Sequence, residues 1–107
     1  MTEWAVLVEE TVRRQDDYLW LLHDGQKVAD RAAGIALASE LAMDHEPKAL
    51  VGEAGRAVFR VNETEWLVVV DGTMGTRGGI GGKVHFRITV AEVIGEFAAP
   101  QQPFGAV

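Results

Sequence analysis

The sequence predicts an α+β fold in which a five-stranded antiparallel sheet carries one main helix on one face. Three observations support this prediction. Short runs of aromatic and β-branched residues recur along the chain and are typical of strands. One longer segment, residues 26–43, instead repeats its apolar residues at helical spacing. The links within each pair of strand-like runs are short and polar, which favours antiparallel neighbours.

The first two strands are predicted at Trp4–Val8 and Tyr18–Leu22, with the polar residues Arg13–Asp17 between them. A helix over Val12–Leu22 is the rival interpretation, because three of its apolar residues also fit a helical stripe. The sequence leaves these two alternatives open.

The main helix is predicted over Gln26–Met43, after Asp24 as a plausible N-cap and before Pro47 as its stop. Gly34 lies inside this helix and costs about 1 kcal/mol relative to alanine. Because glycine has no side chain, it also permits close packing on a sheet. Residues 47–55 are expected to be irregular, with at most one further helical turn.

The remaining strands are predicted at Ala57–Val61, Trp66–Val70 and Lys83–Val90. Four polar residues join the first two of these runs and predict a hairpin. The third run alternates apolar and polar residues, as expected of a strand with one buried face. Residues 93–97 either continue this strand or turn into a short helix.

The resulting element order is β-β-α-β-β-β, which resembles that of PAS-like and profilin-like sensor domains. The resemblance lies in the order of the elements alone. At 107 residues the chain has the size of one domain, which we place at residues 1–97. Residues 98–107 are predicted to form a disordered tail, because Pro100 and Pro103 interrupt regular pairing and few apolar side chains are available.

Composition excludes several classes of function. The formal net charge of −6 argues against a nucleic-acid partner, which requires clustered basic residues. The absence of cysteine excludes disulfides, thiolate metal sites and a cysteine nucleophile. The longest apolar runs fall far short of a membrane span, and Glu3 stands where a signal peptide carries positive charge. We therefore expect a cytoplasmic protein with no membrane association, and its composition is typical of a GC-rich bacterial source.

A glycine-rich segment, residues 72–82, is the one unusual motif. As a binding loop it would wrap an anion with backbone N–H groups, helped by two basic side chains. The residues of this possible loop site are Gly78, Gly79, Gly81, Gly82, Arg77 and Lys83. Common phosphate loops are followed by a helix, whereas a strand is predicted here. The favoured interpretation is a flexible connection, and a loop that orders on binding is the alternative.

No metal, cofactor or catalytic site is predicted. The three histidines, His23, His45 and His85, have no histidine partner at the i and i+4 spacing of helical ligand pairs. Ser39, the one serine, lies inside the predicted helix and not on a strand-to-helix turn. No spacing singles out a pair of carboxylates for acid–base catalysis.

The first, second and fourth predicted strands do not alternate, so they send apolar side chains to both sides of the sheet. One helix covers one side only. We therefore predict that the outer side binds a second copy of the chain or another protein. The predicted interface residues are Leu7, Leu19, Leu21, Leu67 and Val69. Alternatively, the chain covers this side itself, with residues 47–55 or 93–97.

The favoured function is a small non-catalytic module for protein–protein interaction, such as an accessory, regulatory or immunity-type protein. The alternative is a small-molecule sensor with a pocket between helix and sheet. An enzyme ranks third, because neither a nucleophile nor a set of metal ligands is evident.

Overall fold

A computed structural model of the chain describes residues 2–14, 17–74 and 81–97. Within these residues the strands form one five-stranded antiparallel sheet in the order β2-β1-β5-β4-β3, and one helix packs against it. The predicted α+β architecture and element order are confirmed. The elements are β1 (Glu3–Arg14), β2 (Asp17–Val28), α1 (Arg31–Asp44), β3 (Leu50–Asn62), β4 (Glu65–Met74) and β5 (Gly81–Val93).

The two sides of the sheet differ in what covers them. Side chains alternate along a strand, and directly paired residues of neighbouring strands point to the same side. Val6, Val68 and Phe86 are fully buried on the side beneath α1, which we call the helix face. Leu7 and Leu67 point the other way, to what we call the outer face.

The hydrophobic core lies between α1 and the helix face. The helix packs chiefly against β5, with β1 and β4 on either side. Burial of each large apolar side chain contributes about 1.5–3 kcal/mol, so this single layer supplies most of the stability. The core cluster consists of Val6, Val8, Ala38, Ala42, Trp66, Val68, Val70, Val84, Phe86, Ile88 and Val90.

The helix begins later than the sequence predicts. Its N-cap is Asp30, whose side chain accepts a 2.7 Å hydrogen bond from the Ala33 backbone N–H. Gln26–Val28 belong to β2 instead, where they pair with β1. The prediction of Asp24 as the cap is therefore wrong, because strand pairing outweighs the helical spacing of these residues.

The helix ends close to the predicted stop. Its last residue is Asp44, and the extended residue His45 donates a 2.8 Å hydrogen bond to the Leu41 carbonyl. Pro47 follows two residues later and prevents a further turn. Among the described residues, no helix is long and apolar enough to cross a membrane.

The expectation of an irregular segment at residues 47–55 is wrong, since β3 already begins at Leu50. The pairing of β3 with β4 shifts register near Gly52 and again near Gly55. Gly72 of β4 lies so close to Gly52 that a Cβ atom there would collide with the Gly52 carbonyl oxygen. Bulges and glycines erase the alternation by which a strand is recognised in sequence.

The two ends of the glycine-rich segment belong to strands, because β4 extends to Met74 and β5 starts at Gly81. Residues 75–80 and the predicted tail, 98–107, lie outside the described residues. Val12–Leu22, for which the sequence left strand and helix open, is strand: β1 ends at Arg14 and β2 begins at Asp17. Residues 94–97 have no regular structure, and Ile94 and Phe97 are exposed.

A β-bulge in β2 decides which side chains of that strand face the helix. The register between β1 and β2 shifts between Val8 and Glu9, and His23 is the extra residue. Consequently Glu10 pairs with Leu21 on the helix face, whereas Glu9 pairs with Leu22 on the outer face. Simple alternation from Val28 would place Leu22 on the helix face. Because of the bulge, Leu22 instead lies on the outer face and Leu21 on the helix face.

The close packing predicted at Gly34 is confirmed and generates a testable prediction. A Cβ atom on Gly34 would lie 2.7 Å from Val90 Cγ1 and 3.3 Å from Val28 Cγ2. Overpacking of this kind costs about 1–3 kcal/mol, more than the roughly 1 kcal/mol that alanine gains over glycine in a helix. We expect Gly34→Ala to lower the free energy of unfolding by about 1 kcal/mol, measured by urea denaturation.

The matched control is the same substitution in a Val90→Ala background, where the colliding methyl groups are absent. There only the 3.3 Å contact with Val28 remains, so the loss caused by Gly34→Ala should be clearly smaller than in the wild-type background. An equal loss in both backgrounds would mean that the helix does not contact β5 at this position.

Candidate functional site

The predicted loop site is only partly within the described residues. Gly81 and Gly82 open β5, and the exposed Lys83 lies 3.8 Å from the Asp71 carboxylate. Residues 77–79, which include Arg77, Gly78 and Gly79, lie outside the described part of the chain. Anion binding by this loop stays a prediction.

The structure divides the predicted interface residues between the two faces. Leu7, Leu67 and Val69 are half-buried on the outer face. Leu19 and Leu21 lie on the helix face, because the register pairs them with Val12 and Glu10. The helix does not shield this end of the sheet, and Leu21 remains 48% exposed.

Other apolar side chains of the edge strands lie on the outer face, and on β2 these stand in place of Leu19 and Leu21. Tyr18 is 66% exposed and Leu22 61% exposed on β2, with Trp20 between them. Phe59 is exposed on β3, opposite Leu67. Sequence reasoning placed Tyr18, Trp20 and Leu22 on the helix face because it did not foresee the bulge at His23. The outer face therefore carries exposed aromatic groups at both of its edges.

Polar pairs run between these edges. The Arg87 guanidinium lies 4.8 Å from the centre of the Trp20 ring and 3.0 Å from the Glu9 carboxylate. A cation over an indole face is attracted by the ring quadrupole. Arg87 therefore links β1, β2 and β5 across the outer face.

A second group of polar side chains lies on the helix face, where α1 ends. We call it the Glu10 cluster; it comprises Glu10, His23 and His45. Glu10 is 7% exposed. Its two carboxylate oxygens lie 3.2 Å from His45 Nε2 and 3.2 Å from His23 Nδ1, and the Lys48 backbone N–H donates a 3.0 Å hydrogen bond to it. A buried carboxylate requires such partners, since an unpaired one is costly.

Each member of the Glu10 cluster comes from a different segment. Glu10 points to the same side of β1 as the buried side chains of Val6 and Val8. His23 is the bulged residue of β2, and bulges commonly re-aim a side chain. His45 is the residue at which the chain leaves α1.

Arg56 of β3 holds the end of the helix in place. Its guanidinium donates hydrogen bonds of 2.9 Å to the Ala42 carbonyl and 2.8 Å to the His45 carbonyl. These oxygens are among the acceptors that a helix C-terminus leaves free. The guanidinium also lies 5.6 Å from the centre of the Phe86 ring, which contacts the His45 ring edge-on at 4.8 Å.

Glu53 fixes the orientation of Arg56 through two hydrogen bonds. Hydrogen bonding to Arg56 lowers the pKa of the Glu53 carboxyl below its ordinary value, and the same contact raises the pKa of Arg56. Both groups are therefore charged at neutral pH, and the pair persists until the pH falls through the lowered pKa of Glu53.

The sequence carries one signal for this cluster that the analysis of spacing missed. Glu10 occupies the position of an apolar residue on the buried side of β1, and a carboxylate at such a position requires partners. The identity of those partners depends on the bulge and on the way α1 returns to the sheet. Neither the bulge nor the return of the helix to the sheet is marked by a recognisable spacing of residues in the sequence.

Comparison with known proteins gives no further guidance, because no family model, curated protein or solved structure matches the chain.

We expect Glu10 and its neighbour Glu9 to contribute differently to the free energy of unfolding. Glu10→Ala leaves the Lys48 N–H and two imidazoles without their acceptor, so we expect a loss of about 2–3 kcal/mol in the free energy of unfolding. Glu9→Ala is the matched control, since it removes a solvent-screened pair with Arg87 and should cost at most about 1 kcal/mol. Urea denaturation in the presence of EDTA measures both. Similar losses for the two variants would contradict the buried network.

Proposed function

We propose that the protein is a non-catalytic interaction module that forms a homodimer through the outer face of its sheet. The observation that carries this proposal is the exposure of Tyr18, Trp20, Leu22 and Phe59 on a face that no helix of the described residues covers. Tyrosine and tryptophan side chains are among the residue types enriched at protein–protein interfaces.

The size of the outer face suits a stable dimer. Five strands at about 4.8 Å spacing, each roughly 33–43 Å long, give a surface of about 800 Å². Standard interfaces bury about 800 Å² on each partner. The aromatic side chains on the two edge strands supply the residue types that contribute most to binding energy at interfaces.

Ion pairs lie across this face. Arg87 pairs with Glu9, Lys83 with Asp71, and Lys27 with Glu3 and Glu96. Because each of these basic side chains has a carboxylate beside it, part of the charge on the face is balanced locally, which reduces the like-charge repulsion between two stacked copies.

The sensor alternative gains no specific support. Gly34, Ala38 and Ala42 form the buried side of α1, and their small size lets the helix lie directly on the sheet. A ligand pocket between helix and sheet would require this contact to open.

Sedimentation of the full-length protein tests the proposal. We expect twice the chain mass of 11.6 kDa at micromolar concentration. Leu22→Asp places a charge in the proposed interface and should shift the population to monomer. Leu21→Asp is the matched control, because the adjacent side chain is also exposed but lies on the helix face, and this variant should remain dimeric.

A wild-type chain that stays monomeric at high concentration and binds no apolar dye would overturn the proposal. Dissociation caused by Leu21→Asp but not by Leu22→Asp would place the interface on the helix face, which would also contradict it.

A further inference from the structure

We propose that the Glu10 cluster binds a divalent transition-metal ion, with Zn²⁺ as its simplest probe. Glu10, His23 and His45 each offer one ligand atom, and all three atoms lie within 4.8 Å of one another. The proposal is independent of the outer face, because the cluster lies on the opposite side of the sheet.

The ligand atoms lie close to the separations of a tetrahedral ion. Zinc binds imidazole nitrogen and carboxylate oxygen at about 2.0–2.2 Å, which places two tetrahedral ligand atoms about 3.3–3.6 Å apart. Glu10 Oε1 lies 3.2 Å from His45 Nε2, and Glu10 Oε2 lies 3.2 Å from His23 Nδ1. The two imidazole rings have their centres 5.2 Å apart, so binding of one ion requires the cluster to contract around a single carboxylate oxygen.

The donor atoms also fit this class of ion. Two imidazoles and one carboxylate form a set that occurs in zinc sites with three protein ligands and one open position. Calcium and magnesium prefer ligand sets made of oxygen atoms only, so the two imidazoles favour a transition-metal ion. The side chains of His23 and His45 are 22% and 12% exposed, so an ion can enter from solvent and keep a water molecule.

The groups around the cluster hold the ligands in place without occupying the imidazole nitrogens. Arg56 donates to the backbone carbonyl of His45, and the Phe86 and His45 rings pack edge to face with their centres 4.8 Å apart. The Lys48 N–H orients one Glu10 oxygen. Such supporting contacts are typical of metal sites, where they orient ligands and raise affinity.

Charge near the cluster further favours a cation. Glu10 is the buried anion, and the carboxylates of Asp44 and Glu46 flank His45 in the chain. The Arg56 guanidinium, which donates to the His45 carbonyl, is paired with the Glu53 carboxylate. An ion bound here would join β1, β2 and the segment after α1, so it would stabilise the fold by linkage.

The test uses untagged, full-length protein freed of metal by EDTA and gel filtration. Titration with Zn²⁺ against a chromophoric chelator should give one ion per chain and a higher melting temperature. Co²⁺ should give the visible absorption of a tetrahedral site. His23→Gln and His45→Gln should each weaken Zn²⁺ binding at least tenfold. His85→Gln, which changes the exposed third histidine on the outer face, should bind as the wild type does.

Two results would overturn the proposal. One is a wild-type affinity no greater than that of a His23→Gln/His45→Gln double variant, which would make the cluster a set of hydrogen bonds only. The other is binding that His85→Gln abolishes and His23→Gln leaves intact, which would place the ion elsewhere. Circular dichroism of each variant shows that it is folded, and His23→Gln is the decisive variant because its side chain is the least buried of the three.

Discussion

One constraint underlies the rest of the structure: within the described residues, a single short helix covers a wide sheet. The 14 residues of α1 span about 21 Å, whereas strands of up to 13 residues extend about 43 Å. The helix therefore covers one face, and only the middle of that face. The chain is correspondingly flat, with Cα dimensions of 49 × 42 × 18 Å. The helix leaves uncovered the outer face and the helix face beyond Asp44, and both proposed sites lie on these surfaces.

These two surfaces differ in the side chains that they present. Beyond the helix end, polar groups close the core: Arg56 lies against Phe86 and caps α1, while His45 and His23 cover the Glu10 carboxylate. Each of these contacts satisfies a group that would otherwise be buried without a partner. The outer face is apolar at its edges and has no such cover among the described residues. Because the helix is much shorter than the strands it packs on, the fold has both a polar site beyond the helix end and an outer face that the helix does not cover.

Sequence patterns predicted the fold well and the sites poorly, for a physical reason. The alternation of Val84, Phe86, Ile88 and Val90 directly reflects one buried face, so β5 was predictable. The bulge at His23 and the glycines of β3 leave no such pattern, because their conformation depends on pairing with distant strands. That bulge decides both that Leu22 lies on the outer face and that His23 reaches Glu10. Both proposed sites therefore depend on the feature that local sequence specifies least.

The central claim, that a second copy covers the outer face, is tested most directly by a distance across the dimer. The chain has no cysteine, so Ala36→Cys on the exposed side of α1 gives a single position for a nitroxide label. If two outer faces pack together about 10 Å apart, the helices lie on opposite outsides of the dimer. Double electron–electron resonance should then give a distance beyond about 30 Å. The absence of dipolar modulation at a concentration of tens of micromolar, or a distance below about 20 Å, would contradict the account.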